Sequence, residues 1–132
     1  MKSDDSQLVQ SARPAAEEIL ALARRGTEAD REALRSYTPE QLAGAVTALQ
    51  PKQRTELLEV VERIDQVVPL LPEAELTSTI RGVGIEDAGW LVEYATAEQR
   101  VAAVDLDCWK DLRLSPRRLF EWIDAMIEAG TE

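Results

Sequence analysis

Apolar residues recur at helical spacing through most of this chain, and recognisable start signals separate the runs. Thr38-Pro39-Glu40-Gln41 combines an N-cap threonine, a proline at the first helical position and a glutamine at the third, which predicts a capping box. Thr96-Ala97-Glu98-Gln99 repeats that logic. No segment alternates apolar and polar residues as a half-buried strand does. The pattern therefore predicts an all-α protein of about eight short helices.

The N-terminal half divides further at its glycines and prolines. A first helix is predicted from Pro14 to just before Gly26, and Thr27 with Asp30 caps a second over 28–36. Pro51 is predicted to begin a longer helix that Pro69 ends. One broad apolar stripe marks that longer helix: Leu57, Leu58, Val61, Ile64, Val67 and Val68.

In the C-terminal half, Pro72 opens a helix that ends in a turn marked by Gly82 and Gly84, and another helix is predicted over 85–94. Residues 106–114 show no period and predict an ordered loop. Ser115 and Pro116 begin the last helix, which Gly130 stops. Its apolar residues cover most of its circumference, so we expect it to be buried or docked on a partner: Leu119, Phe120, Trp122, Ile123, Met126 and Ile127.

A helix-turn-helix pattern repeats after 34 positions. The shift places Leu42 on Leu76, Val46 on Ile80, Leu49 on Val83, Leu57 on Leu91 and Leu58 on Val92. One interpretation is a true repeat, with antiparallel helix pairs stacked into a right- or left-curving, superhelical or solenoid-like array. The other is two amphipathic helix pairs that share a generic pattern. Both give the same fold class, but only the first predicts a concave binding face.

The length of 132 residues favours one domain, predicted over 13–130 after a flexible N-terminal tail over 1–12. The chain has no histidine and one cysteine, Cys108, so no Cys/His zinc site, Ser-His-Asp triad or intramolecular disulfide can form. With 25 acidic against 15 basic residues, its net charge of −10 argues against nucleic acid as a ligand. No apolar run predicts a membrane span and no signal peptide is recognised, which predicts a cytoplasmic protein.

Part of the chain resembles a known family. Gly84-Ile85-Glu86-Asp87-Ala88 and Asp105-Leu106-Asp107-Cys108-Trp109, within 71–130, look like a helical-repeat segment of an uncharacterised bacterial family, a domain of unknown function. More remotely, the short helices opening with Pro-Glu or Ala-Glu resemble the intracellular N-terminal domain of MgtE-type magnesium channels. The nearer resemblance implies no activity, and implies that this chain is the N-terminal part of a longer protein or a short relative of one. The remote one implies a regulatory domain that responds to Mg²⁺.

The acidic residues concentrate in 72–111, where nine acids stand against three bases for a net charge of −6. Asp105, Asp107 and Asp111 could offer three oxygen ligands to Mg²⁺ or Ca²⁺, although the spacing lacks the glycine and terminal glutamate of an EF-hand loop. The alternative is that these aspartates end a helix and cap turns. The acids at helix starts, Glu86 and Asp87 among them, are explained by the helix dipole.

Five residues are predicted to contact a partner: Trp109, Arg117, Arg118, Glu86 and Asp87. Arg117 and Arg118 lie in the first turn of the last helix, unfavourable for cations unless they pair with Asp107, Asp111 or a partner's acids. Trp109 is expected to pack with its loop against the last helix, and an exposed Trp109 would favour an interface. Cys108 lies between Asp107 and Trp109, and those surroundings predict a buried structural thiol.

We therefore expect a non-enzymatic helical-repeat module, without a cofactor, that binds another protein or another domain of a longer chain. The alternative function is an Mg²⁺-responsive regulatory domain that uses the acidic segment 72–111. An enzyme acting with carboxylates alone would need two of them facing each other across a deep pocket.

Overall fold

The structure is a computed structural model that describes residues 15–110 and 112–130, and of Lys110 only the backbone. The predicted flexible tail over 1–12 and the predicted helix start at Pro14 lie outside the described residues. The chain divides between Leu70 and Leu71 into two compact units, each of which is described by itself. The single domain and the solenoid therefore stay predictions.

The N-terminal unit consists of short helices. α1 covers 15–25, α2 Glu28–Arg35, α3 Pro39–Ala48, α4 Pro51–Val60 and α5 Ile64–Val67, which continues into the 3₁₀ turn Val68–Leu70. Gly26 ends α1 with a φ of 65°, a conformation that glycine adopts without strain. The capping boxes predicted at Thr27 and Thr38 are confirmed.

The prediction of one long helix after Pro51 was wrong. α4 ends at Val60, Val61 is extended, and a new helical turn begins at Ile64. A straight helix over 51–68 would be about 27 Å long, whereas its neighbour α3, a ten-residue helix, spans only about 15 Å. The far end of such a helix would therefore extend beyond α3. The break brings Val67 and Val68, both 0% exposed, back to α3.

The C-terminal unit contains α6 Glu73–Val83, α7 Ile85–Ala88, the 3₁₀ helix Gly89–Tyr94, α8 Ala97–Asp107, β1 Trp109–Lys110, β2 Arg113–Leu114 and α9 Pro116–Gly130. α6 packs on α8, and α9 packs on the 3₁₀ helix, α7 and α8. The capping box at Thr96 is confirmed, and the buried Gln99 of that box also donates to the Leu71 carbonyl over 2.9 Å.

Two local predictions in this unit need correction. Residues 85–94 form one α-helical turn followed by a 3₁₀ helix, because Ala88 leaves the α conformation at φ −120° and ψ 0°. The predicted loop over 106–114 is partly helix, since α8 runs to Asp107, and partly an antiparallel ribbon that pairs Trp109 with Leu114. Two residues per strand are too few to show an alternating pattern.

The all-α class is confirmed, with that ribbon as the only sheet among the described residues. None of the described helices is both long enough and apolar enough to cross a bilayer.

The helix boundaries follow the predicted repeat. A shift of 34 carries α3 onto α6, and carries α4 onto α7 with its 3₁₀ helix, Ile85–Tyr94. Four of the five pairs superposed by that shift are buried in both copies: Leu42 and Leu76, Val46 and Ile80, Leu57 and Leu91, Leu58 and Val92. In the fifth pair Leu49 is buried but Val83 is only half-buried. The second copy differs mainly in tightening its second helix from α to 3₁₀.

Candidate functional site

The carboxylate of Asp107 is the centre of a polar cluster at the end of α8. Its side chain is 1% exposed. Arg81 of α6 approaches Oδ1 with Nε at 2.8 Å, and the Trp122 indole N–H of α9 donates to Oδ2 over 2.7 Å. Arg118 Nε lies 3.9 Å from the same Oδ2. One carboxylate thus connects three helices.

The three aspartates predicted as ion ligands differ in their surroundings. Asp105 is exposed in the last turn of α8, Asp107 is engaged as above, and Asp111 lies outside the described residues. Among the described residues, no group of three His, Cys, Asp or Glu side chains is arranged to hold a metal ion. The metal site stays a prediction with two of its three residues placed.

The arginines of the last helix pair within the C-terminal unit. The expectation that these cations could pair with Asp107 is met by Arg118, which also reaches Glu121 at 3.5 Å. Arg117 is 90% exposed at its side chain and lies 3.4 Å from Glu121. Arg117 is therefore the more accessible of the two to a partner.

Trp109 and Trp122 occupy opposite environments. Trp122 is 1% exposed, whereas Trp109 is 51% exposed on β1. The ribbon keeps its main chain close to the core, because Ser115 N–H donates to the Cys108 carbonyl over 2.6 Å. Packing of the loop over 106–114 against the last helix, the favoured interpretation of the sequence, therefore stays a prediction, and about half of the Trp109 surface is open to a partner.

Leu112, between the two strands, is a feature that the sequence reasoning missed. It has a φ of 66°, the only positive φ among the described non-glycine residues, and its side chain is 97% exposed. A bulky residue in the left-handed region costs about 1–2 kcal/mol relative to the ordinary regions. An exposed leucine at such a position is explained neither by the backbone nor by the core.

The outer side of α9 is also apolar. Phe120, Ile123 and Ile127 are 63%, 37% and 57% exposed and recur at helical spacing, while Trp122 and Ala125 are buried on the opposite side. The expected burial of this helix is thus correct for one face only. We call Phe120, Ile123 and Ile127 the outer stripe.

A groove of about 840 Å³ lies between α7 with its 3₁₀ helix and α9. The predicted Glu86 and Asp87 are exposed on the first wall, and the structure adds Glu93 on the same side. Three further acids, which the sequence reasoning missed, line the opposite wall: Glu121, Asp124 and Glu128. Their spacing of three and four residues was visible in the sequence, but which helix they would face was not.

Cys108 is fully buried, as predicted. Burial raises the pKa of this thiol above its ordinary value of 9.0, and the negative charge of Asp107 raises it further. The thiol therefore stays protonated and unreactive near neutral pH.

Comparison with known proteins identifies a family. A model of a protein family described as a family of unknown function, DUF6178, matches residues 31–132. The match includes the stretch 71–130 and extends it towards the N-terminus. Neither a curated protein nor a solved structure matches the chain. The remote resemblance to the magnesium-channel domain has no support from these comparisons.

Proposed function

The chain belongs to this family of unknown function, DUF6178, and from that premise we propose that it is a non-enzymatic module that binds another protein. The proposal rests on the exposed ribbon: Trp109 is 51% exposed and Leu112 is 97% exposed. Tryptophan is enriched among the residues that dominate binding energy at interfaces. Leu112 strengthens the argument, because its strained φ of 66° holds a leucine in solvent where glycine or asparagine is favoured.

A protein-binding role accounts for more of the exposed surface than catalysis does. The outer stripe leaves two large apolar side chains, Phe120 and Ile127, more than half exposed. The groove acids Glu86, Asp87 and Asp124 are exposed to water, whereas the desolvation that commonly raises the pKa of a general-acid carboxyl group needs burial. The Mg²⁺-responsive alternative has less support, because Arg81 and Trp122 already occupy both oxygens of Asp107.

Crosslinking in the source cells, followed by capture of the tagged chain, tests this proposal. The ribbon variant carries Trp109→Ser and Leu112→Ser. It is compared with the wild type and with a control that carries Val60→Ser and Leu70→Ser. The control pair alters two aliphatic residues of the N-terminal unit that are each 46% exposed. Circular dichroism verifies that each variant is folded.

We expect proteins that crosslink to the wild type and to the control, but not to the ribbon variant. Light scattering identifies a second copy as the partner if the wild type is a dimer and the ribbon variant is a monomer. Identical crosslinked proteins and identical mass in all three forms would contradict the proposal.

A further inference from the structure

The groove between α7 and α9 carries charge of one sign. Six carboxylates line it, and none of its described lining residues is a lysine or an arginine. Glu121 pairs with Arg117 and Arg118, whereas no ion pair between described residues involves Glu86, Asp87 or Asp124. A cleft with low-dielectric walls and charge of one sign concentrates the opposite charge. Such a groove favours a cationic ligand.

The groove is also lined by apolar side chains. Val83, Ile85, Ala125 and Ala129 contribute to this lining, together with Trp90. Trp90 meets Tyr94 edge to face, with ring centroids 6.5 Å apart. Lysine and arginine combine an aliphatic stem with a charged end, and such side chains bury the stem on apolar surface and bind aromatic faces through the cation. A bare metal ion would gain nothing from these apolar side chains.

The spacing of the acids on α9 indicates the form of the partner. Glu121, Asp124 and Glu128 follow one another at intervals of three and four residues, so they form a stripe about 10 Å long on one side of the helix. At about 100° per residue, Asp124 lies only about 40° around the helix from Phe120. The acidic wall therefore borders the outer stripe of exposed apolar side chains.

We propose that this groove binds a basic amphipathic helical segment of the partner protein. Lysine or arginine side chains at helical spacing enter the groove between Asp87 and Asp124 and lie over Trp90. Apolar side chains on the adjoining face of that segment contact Phe120 and Ile127. This inference deepens the proposed protein-binding function and rests on it for the identity of the ligand as a protein.

Titration of the full chain with a synthetic peptide tests the proposal. The peptide is a short helix with lysines at every third or fourth position and leucines on the adjoining face, and a second peptide replaces each lysine by glutamate. The groove variant combines Glu86→Gln, Asp87→Asn and Asp124→Asn. The control combines Glu17→Gln, Glu18→Gln and Glu32→Gln, which removes the same charge from exposed sites in the N-terminal unit.

We expect the groove variant to lose about tenfold in affinity for the lysine peptide, with less than about a twofold change in the control. Trp90→Leu should also weaken binding, and the glutamate peptide should not bind. Equal losses in groove variant and control would overturn the proposal, because binding would then follow net charge alone. Spermine displacing the peptide as effectively as unlabelled peptide would overturn it as well.

The two proposals fail separately. If no lysine peptide binds while the ribbon variant still loses its crosslinked partner, the groove proposal fails and the protein-binding function stands. If peptide binding depends on the groove while the ribbon variant retains its crosslinked proteins, the groove proposal stands and the ribbon is not the interface.

Discussion

The indole N–H of Trp122 donates to Oδ2 of Asp107 over 2.7 Å, and this contact joins α9 to the end of α8. Both side chains are about 1% exposed. From the sequence, Asp107 was considered as a metal ligand, as a turn cap or as a partner of Arg117 and Arg118, and Trp122 only as an apolar residue of the last helix. In the structure the pair lets a tryptophan be buried with its polar atom satisfied, which is the usual condition for burying indole.

Replacement of Asp107 should destabilise the protein. Asp107→Ala leaves the buried indole N–H of Trp122 without its acceptor and Arg81 without its ion-pair partner, which we expect to cost about 2 kcal/mol. The exposed Asp105, two residues earlier on α8, provides the control, and Asp105→Ala should cost less than about 0.5 kcal/mol. Urea unfolding measures both. Equal losses of unfolding free energy in the two variants would show that the Asp107 contacts contribute no more to stability than the exposed Asp105 does.

Cys108 should be slow to react with thiol reagents. Burial, and secondarily Asp107, raise the pKa of the thiol in the folded state, and each unit of pKa lowers the thiolate fraction about tenfold. We therefore expect modification by a disulfide reagent to be at least about tenfold slower in the native protein than in urea. Comparable rates in both conditions would place this thiol at the surface.

The same raised pKa of Cys108 sets a dependence of stability on pH. The unfolded thiol ionises near 9.0, below the folded pKa, so its contribution to stability is complete below 9.0 and is lost as the pH rises through the folded pKa. Cys108→Ser removes the high-pKa thiol, and its free energy of unfolding should decline less over that range. Urea unfolding at increasing pH measures the difference.

Local signals were read correctly from the sequence, and contacts between distant residues were not. A capping box joins residues three apart, such as Thr38 and Gln41, so its geometry follows from adjacent sequence alone. The break at Val61 depends on what Val67 contacts after the chain turns back. Apolar periodicity identified both parts of that stripe, but it contains no information on where a helix stops when no glycine or proline marks the end.

The candidate site was predicted on one side only. Glu86 and Asp87 stood out because they belong to the acidic segment 72–111, whereas Asp124 lies outside it. The groove forms because α9 packs against α7 and its 3₁₀ helix, a contact between segments more than twenty residues apart. Composition located the charge along the chain, and only the packing of α9 shows that it continues on a second wall.

The two capping boxes at Thr27 and Thr38 should respond differently to acid. The Thr27 hydroxyl donates to the Asp30 carboxylate over 2.6 Å, and that hydrogen bond is the main reason why the pKa of Asp30 is lowered from 3.8, with Arg25 helping and burial opposing. The contribution of the ionised Asp30 carboxylate to stability is therefore present above pH 3.8, and it is lost as the pH falls through the folded pKa.

Thr27→Ala should cost about 1 kcal/mol of unfolding free energy near neutral pH, because the N-cap of α2 is lost. The difference from the wild type should shrink in acid as Asp30 becomes protonated. Thr38→Ala is the matched control, since its box uses the uncharged Gln41. Its cost should be similar and independent of pH. Urea unfolding of all three forms on either side of 3.8 measures this, and parallel curves would contradict it.

Leu112 offers a variant that should separate stability from binding. Asparagine tolerates the left-handed region better than leucine, so Leu112→Asn should raise the free energy of unfolding by up to about 1 kcal/mol. It also removes the side chain that is 97% exposed, and crosslinking to the partner should fall. Leu70→Asn is the control: an exposed leucine without a positive φ should gain no stability and lose no binding. A Leu112→Asn variant that is less stable than the wild type would show that the fold needs this leucine, and one that crosslinks equally well would show that the partner does not contact it.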